Sequence, residues 1–458
     1  MQPTPHDNSL RHILHYTLPL VGSSLVTYSF TIIDSLMIAP LGNTAFGGTG
    51  QGSLYFSLVC ALFIGVLAMF TPLVARRVTK TPTELSICFW SGNLVAALFA
   101  VVAFALASVA GPVLEFCGQP ASIVEVIVEF LNVLRWATLP MLVGICVSQL
   151  VNLCGFPAIN LYSAIFGVLL NALLNWVFIF GHCGAPAMGV RGSALATVIA
   201  RTAMVVFSLL LLQRRLGARR IELRKLSIDL SLIRAILVKG GPRGINHVSD
   251  WLITFALVLI IGQRGEISVV ANNVGDVTSS TMYIVPGAFC QVATIFVARN
   301  LANEAPRQDI VALLKRLHIA ALFSCAVVGV AVALAMPAIL EFFALTPTSE
   351  AWPITRDILV VHIVFYASYL FQHSLLAVLD AFLDTRIPSI AMLAVSALGI
   401  LPIALWVARH YSAAHVWVVE GIGVTALSFF YYVRLRRQLT QYAPSSAAEG
   451  GTRSHDGL

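Results

Sequence analysis

Residues 18–41 read LPLVGSSLVTYSFTIIDSLMIAPL, an apolar run whose one charged residue is Asp34. At 1.5 Å per residue a helix of this length spans the ~30 Å hydrocarbon core of a bilayer. A carboxylate inside such a helix costs about 2.5–3.5 kcal/mol on insertion scales, so it is expected to face protein or water rather than lipid. Asp34 is therefore the first candidate for coupling this chain to an ion gradient.

The rest of the chain repeats the pattern. With 58% hydrophobic and 11% charged residues, a soluble domain is excluded. Twelve spans are expected, over 12–39, 52–75, 87–110, 122–150, 158–181, 188–213, 240–262, 268–298, 314–336, 355–379, 388–409 and 415–433. Glu125, Glu129, Asn132 and Arg135 crowd the first half of the fourth span, which leaves 136–153 as its apolar part. No cleavable signal peptide is expected, because the first apolar run is too long and lacks a small-residue cleavage site.

Basic residues set the orientation. With the N-terminus inside, the inner connections hold Arg76, Arg77 and Lys80, then nine Lys and Arg between Arg214 and Arg243. Arg299, Arg307, Lys315, Arg316, Arg386, Arg434, Arg436 and Arg437 follow on the same side, against only Arg191, Arg264, Arg356 and Arg409 outside. This positive-inside asymmetry predicts cytoplasmic termini and makes the net charge of +7 an orientation signal rather than a nucleic-acid footprint.

The eight cysteines show no CxxC or other metal spacing and read as small packing residues. Cys117 and Cys183 fall in outer loops, and a disulfide between them is the less favoured reading. The polar connection near 214–241 divides the chain into an N-terminal lobe (1–213) and a C-terminal lobe (242–440), six spans each, with a polar tail (441–458) expected to be disordered. Leu226, Ile228, Leu230, Leu232, Ile233, Ile236 and Leu237, mixed with charges, suggest an amphipathic interfacial helix running into the seventh span, although a plain charged linker fits nearly as well. Two six-helix lobes are a recurrent transporter plan.

Few intramembrane residues can carry chemistry. Asn171 and Asn175 are four apart, share one helix face, and lie at the depth of Asp34, so the three can form a hydrogen-bonded cluster or an oxygen-ligand cation site. Asp250 sits mid-span in the seventh helix, and Asp276 lies near Asn272 and Asn273 in the eighth. Asp380 and Asp384 are placed at the inner interface, Glu420 near the outer face and exposed, and Arg135 and Arg201 read equally as structural partners or substrate contacts. Tyr28, Trp251 and Tyr283 are candidate cation–π contacts for an organic cation.

The stretch Asn171-Ala-Leu-Leu-Asn175, Ile179-Phe180-Gly181, and Gly184-Ala-Pro186-Ala-Met-Gly189-Val-Arg-Gly192-Ser-Ala-Leu-Ala-Thr-Val-Ile-Ala-Arg201 resembles the fifth and sixth helices of multidrug and toxic compound extrusion (MATE) transporters. Pro19 with Asp34 and Gly42 resembles their first helix, Gly241-Pro242 with Asp250 their seventh, and Val270-Ala271-Asn272-Asn273 with Pro286 their eighth. The resemblance implies twelve transmembrane helices in two six-helix lobes around a central cleft, and cation-coupled export of organic, often cationic compounds. Carried over residue by residue, it implies coupling through Asp34, Asn171, Asn175 and Asp250 with Pro19 as the bending proline; Asn175 points to the NorM-like arrangement.

The chain also departs from the family pattern. Leu375 stands where NorM-type members carry a helix-ten aspartate, Leu379-Asp380-Ala381 and Leu153-Cys154-Gly155 are eroded signatures, and Asn272-Asn273 replace His-Gln. A second-lobe cation site is thereby put in question, and protons are favoured over sodium. The expectation is a proton-coupled antiporter of the bacterial inner membrane, acting as a monomer on small molecules, without cofactor or metal. A lipid-linked precursor flippase is the first rival; an intramembrane enzyme is disfavoured because HExxH, DDxxD, GxSxG and phosphate-loop motifs are all absent.

Overall fold

A computed structural model describes residues 10–75, 81–116, 121–217, 221–222, 226–262, 266–343 and 345–442. Cys117, Arg76, Arg77, Lys80, Arg264 and the tail from 443 lie outside the described residues. Among the described residues every regular element is helical. In chain order these are α1 (Leu10–Ile38), α2 (Asn43–Ala68), α3 (Phe70–Ala75), α4 (Pro82–Ser108), α5 (Ala110–Phe116), α6 (Ala121–Leu134), α7 (Thr138–Leu153), α8 (Ala158–Phe180) and α9 (Gly189–Leu216). Then follow α10 (Leu230–Gly262), α11 (Glu266–Met282), α12 (Ile284–Ala302), α13 (Arg307–Phe342), α14 (Ala351–Ala381), α15 (Arg386–Ala394), α16 (Leu401–His410) and α17 (Ala413–Gln441).

Eleven stretches of the described residues are long and apolar enough to cross a membrane. They correspond to the expected spans other than the seventh, whose place is taken by the 33-residue α10. Several spans are broken where proline removes a backbone donor. Pro140 opens α7 after a short 3₁₀ turn, Arg135–Ala137, so the fourth span is two helices rather than one. Pro72 follows the break at Met69 between α2 and α3, and α2 begins at Asn43, nine residues before the expected start. Pro402 follows a π-turn, Val395–Ile400, between α15 and α16.

The chain divides into two compact units, Leu18–Val248 and Ser249–Leu458 together with Met1–Thr17. The divisions fall inside α1, between Thr17 and Leu18 just ahead of Pro19, and inside α10, between Val248 and Ser249 just ahead of Asp250. In the opening turns of α1, Tyr16 is 1% exposed and packs edge-on against Phe296 of α12 with ring centroids 5.4 Å apart, within the second unit.

In the first unit, close helix contacts rest on small residues, as expected where lipid supplies no hydrophobic drive between helices. A Cβ on Gly192 would lie 2.5 Å from the Phe178 carbonyl oxygen, and one on Gly167 would strike Met204, so α8 and α9 meet nearly backbone to backbone. The first half of α10 meets α2 in the same way. A Cβ on Gly65 would be 2.7 Å from the Gly244 Cα, and one on Gly244 would be 2.7 Å from the Leu62 carbonyl oxygen. The loop before α10 is held by Gln213, which exchanges two 2.9 Å hydrogen bonds with the Ile221 backbone, and by Asp229, whose Oδ1 accepts from Ser231 N at 2.7 Å. That carboxylate is an N-cap for α10.

Candidate functional site

In the first unit Phe30 of α1, Val168 of α8 and Ala200 of α9 form one buried apolar contact, flanked by Val26, Ile33 and Met204. Asp34 is four residues beyond Phe30, Asn171 three beyond Val168, and Thr197 three before Ala200. One helical turn in each case leads to the same level, with α9 running opposite to α1 and α8. The apolar contact thus sets the register of a polar cluster directly above it.

Asn175 Nδ2 donates to Asp34 Oδ1 at 2.6 Å and to Asn171 Oδ1 at 3.2 Å. Thr197 Oγ1 donates to Asp34 Oδ2 at 3.4 Å. Both asparagines are 0% exposed, while Asp34 itself is half-buried. Arg201, one turn from Thr197 on α9, lies close enough for its charge to act on Asp34. Asn175 Oδ1 is buried without a partner among the described residues, so the cluster retains a spare acceptor, while the Asn171 amide also bears on the Asp34 carboxylate.

Asp34, Asn171 and Asn175 are therefore brought together as their spacing predicted. Thr197 and the association of Arg201 with Asp34 were not foreseen. Their four-residue separation on α9 was the available signal, but only the α8–α9 contact reveals which face of α9 turns toward Asp34. Pro19 lies inside α1, where its missing N–H leaves one helical bond unmade.

The second unit holds a separate polar group. Tyr366, Tyr369 and His373 occupy one face of α14. His373 Nε2 is 3.9 Å from Asp250 Oδ2, and both side chains are accessible. Tyr369 donates its hydroxyl proton to Glu420 Oε2 at 2.6 Å. Glu420, expected to be exposed near the outer face, is instead buried at 8% exposure. The cause is the crossing of α14 and α17: Gly421 seats the Phe365 ring where a Cβ would clash, Thr425 Oγ1 donates to Ser368 Oγ at 2.9 Å, and Ser428 Oγ donates to the Ser368 carbonyl at 3.0 Å.

Tyr283, at the break between α11 and α12, packs edge-on against Tyr369 and Tyr366, with centroids 5.2 and 5.9 Å away. Asp276 is exposed, and its charge acts on Glu420 together with that of Asp250. Asn272 is 2% exposed, and its Oδ1 accepts from Trp417 Nε1 at 2.9 Å, which ties α11 to α17. Trp251 is 42% exposed, Tyr28 is half-buried on α1, and the Asn273 side chain lies outside the described residues. Leu375, in the position of the missing aspartate, is buried at 5% exposure.

At the inner end of α14, Asp384 Oδ2 accepts from Arg434 Nε at 2.6 Å and from Gln438 Nε2 at 2.9 Å. This is a clamp between the α14–α15 turn and α17. Arg135 is likewise structural: it lies over the Phe104 ring at 4.9 Å and donates to Ser108 Oγ at 2.9 Å.

A many-helix membrane protein with buried carboxylates on discontinuous spans is the class defined by these features. The MatE family profile matches residues 19–177, which include Asp34, Asn171 and Asn175. A probable multidrug resistance protein NorM of Burkholderia mallei (strain ATCC 23344) is 30% identical over 294 residues, 63% of this chain and 62% of that protein. The matched region thus spans about three-fifths of the relative's length. Among solved structures, a MOP superfamily transporter from Pyrococcus furiosus superposes with a TM-score of 0.81 over 94% of this chain and 96% of that one, at 16% identity. An outward-facing multidrug resistance MATE family transporter superposes with a TM-score of 0.82 over the same shares, at 15% identity. The chain is thus similar in sequence to NorM-type proteins over about three-fifths of its length, carries a MatE-like stretch at residues 19–177, and shares the fold of these transporter structures.

Proposed function

We propose that this protein is a secondary active antiporter that exports organic, cationic or amphipathic compounds in exchange for protons, by alternating access. One observation carries the reading: a carboxylate in a membrane helix, held at 2.6 Å by Asn175 and within the field of Arg201, one turn above an apolar three-helix contact. Protonation of Asp34 removes its charge, weakening its bonds to Asn175 and Thr197 and its attraction to Arg201. α1 is then free to rearrange about Pro19, where the helical ladder already lacks a bond. The return step releases the proton to the other side. Asp250, accessible in the second unit, attracts a cationic substrate.

The choice of proton over sodium is supported by the donors around Asp34: both its oxygens already accept hydrogen bonds, from Asn175 and Thr197, which a metal ion needing several oxygen ligands would have to displace. The choice of an organic cation over a lipid pyrophosphate is supported by the second unit, where the charges acting on Glu420 are both carboxylates. The proposed setting is the bacterial inner membrane, with both termini cytoplasmic, the chain acting as a monomer without enzymatic activity.

The test is dye transport in proteoliposomes under proton and sodium gradients imposed separately. A proton gradient alone is expected to drive ethidium movement, and Asp34→Asn to abolish it. Full proton-driven transport by Asp34→Asn, or transport driven only by sodium, would overturn the assignment.

A further inference from the structure

The family-like pattern leaves Leu375 where a second-unit carboxylate would stand, yet the same unit buries a carboxylate supplied by another helix. Glu420 on α17 is 8% exposed and accepts the Tyr369 hydroxyl at 2.6 Å. Among the described residues, the charges that act on it are those of Asp250 on α10 and Asp276 on α11. One buried acid and two accessible ones, from three helices, with only His373 beside Asp250 as a potential positive partner among the described residues, make a negative locus that a bound cation relieves.

A second observation concerns Tyr283. Its hydroxyl is buried without a hydrogen-bond partner among the described residues, although a buried phenol ordinarily finds one. Glu420, Tyr366, Asp250 and Asp276 lie close enough for their charges to act on that hydroxyl. Tyr366, by contrast, spends its hydroxyl on the Met282 carbonyl and contributes only its ring. Tyr283 stands edge-on to both other rings, at 5.2 and 5.9 Å, so the Tyr369 ring beside the carboxylate is continued by Tyr283, with Tyr366 behind it. Aromatic walls with an anionic end are the chemistry that holds an organic cation, and a free phenol oxygen adds an acceptor for an N–H group on it.

We infer that Glu420, Tyr369 and Tyr283 form an organic-cation binding site within the second unit, with Asp250 and Asp276 as its accessible acidic approach and the free Tyr283 oxygen selecting cations that carry N–H donors. The assignment rests on the reading of the protein as an exporter of organic cations. It places the second-unit carboxylate on the last helix of the chain, in compensation for Leu375.

Two probes separate the components: ethidium, which carries amino groups, and tetraphenylphosphonium, which carries none. Binding to the purified full chain is measured by calorimetry without any ion gradient. Glu420→Gln is expected to weaken both probes at least tenfold, whereas Tyr283→Phe weakens ethidium about threefold and leaves tetraphenylphosphonium unchanged. In the unaltered protein, saturating ethidium is expected to protect Glu420 from a hydrophobic carbodiimide, read by peptide mass spectrometry. Wild-type affinity in Glu420→Gln, or Glu420 labelling unchanged by the dye, overturns the site while leaving the transport reading standing. Failure of the wild-type chain to bind either probe overturns both.

Discussion

Asn175 and Asn171 sit one turn apart on the same helix, yet the geometry assigns them unequal work. Asn175→Ala removes a 2.6 Å hydrogen bond to an acid and a 3.2 Å bond to another amide. A hydrogen bond to a charged partner contributes about 1.5–3 kcal/mol, whereas amide bonds between membrane helices average about 0.6 kcal/mol. Losing both destabilises the Asp34-held state by about 2–3.6 kcal/mol, or roughly 30–400-fold in its population. Asn171→Ala loses the 3.2 Å amide bond and a looser contact of its own amide with Asp34, so its effect stays within about threefold. The assay is the initial rate of proton-driven ethidium transport in proteoliposomes, with thermal melting in detergent as a fold control. Asn175→Ala is expected to slow transport at least tenfold, and Asn171→Ala less than threefold, both variants remaining folded. Equal rates for the two variants, or the reverse order, would refute the reasoning.

Gly244→Ala places a Cβ 2.7 Å from the Leu62 carbonyl oxygen, a backbone clash that only a shift of α10 relieves, so melting should fall by several degrees, in keeping with about 1–3 kcal/mol of overpacking. Arg434→Ala strips Asp384 of its 2.6 Å partner, with side-chain exposures of 25% and 10%, and is expected to lower stability by about 1–3 kcal/mol without changing substrate affinity, read by melting and dye binding together.

Hydropathy made most of the spans legible, because every lipid-crossing helix must be long and apolar whatever it packs against. The first-unit cluster was legible for a related reason: Asn171 and Asn175 share a helix face, and matched depth in spans of known direction put them beside Asp34. Thr197 was invisible because depth alone does not say which face of α9 turns inward. Glu420 was misread because its environment comes from Tyr369, fifty-one residues earlier in the chain. The small residues Gly421, Thr425 and Ser428 that draw α17 onto α14 were present in the sequence, but their partners Phe365 and Ser368 were not evident from either helix alone. The breaks in the second and fourth spans follow from Pro72 and Pro140, whose missing donors matter more locally than the surrounding hydropathy.

The placement of Tyr16 has a consequence for how the chain is made. Residues 18–248 form one compact unit, and α1 from Leu18 onward finds its neighbours within it. The preceding turns do not: Tyr16 is enclosed against Phe296, which the ribosome adds 280 residues later. At the usual rates of bacterial synthesis that interval is about 15–55 s. For that time the start of the first helix is without its final partner, and an insertion chaperone or the lipid itself must shelter Tyr16 until α12 arrives.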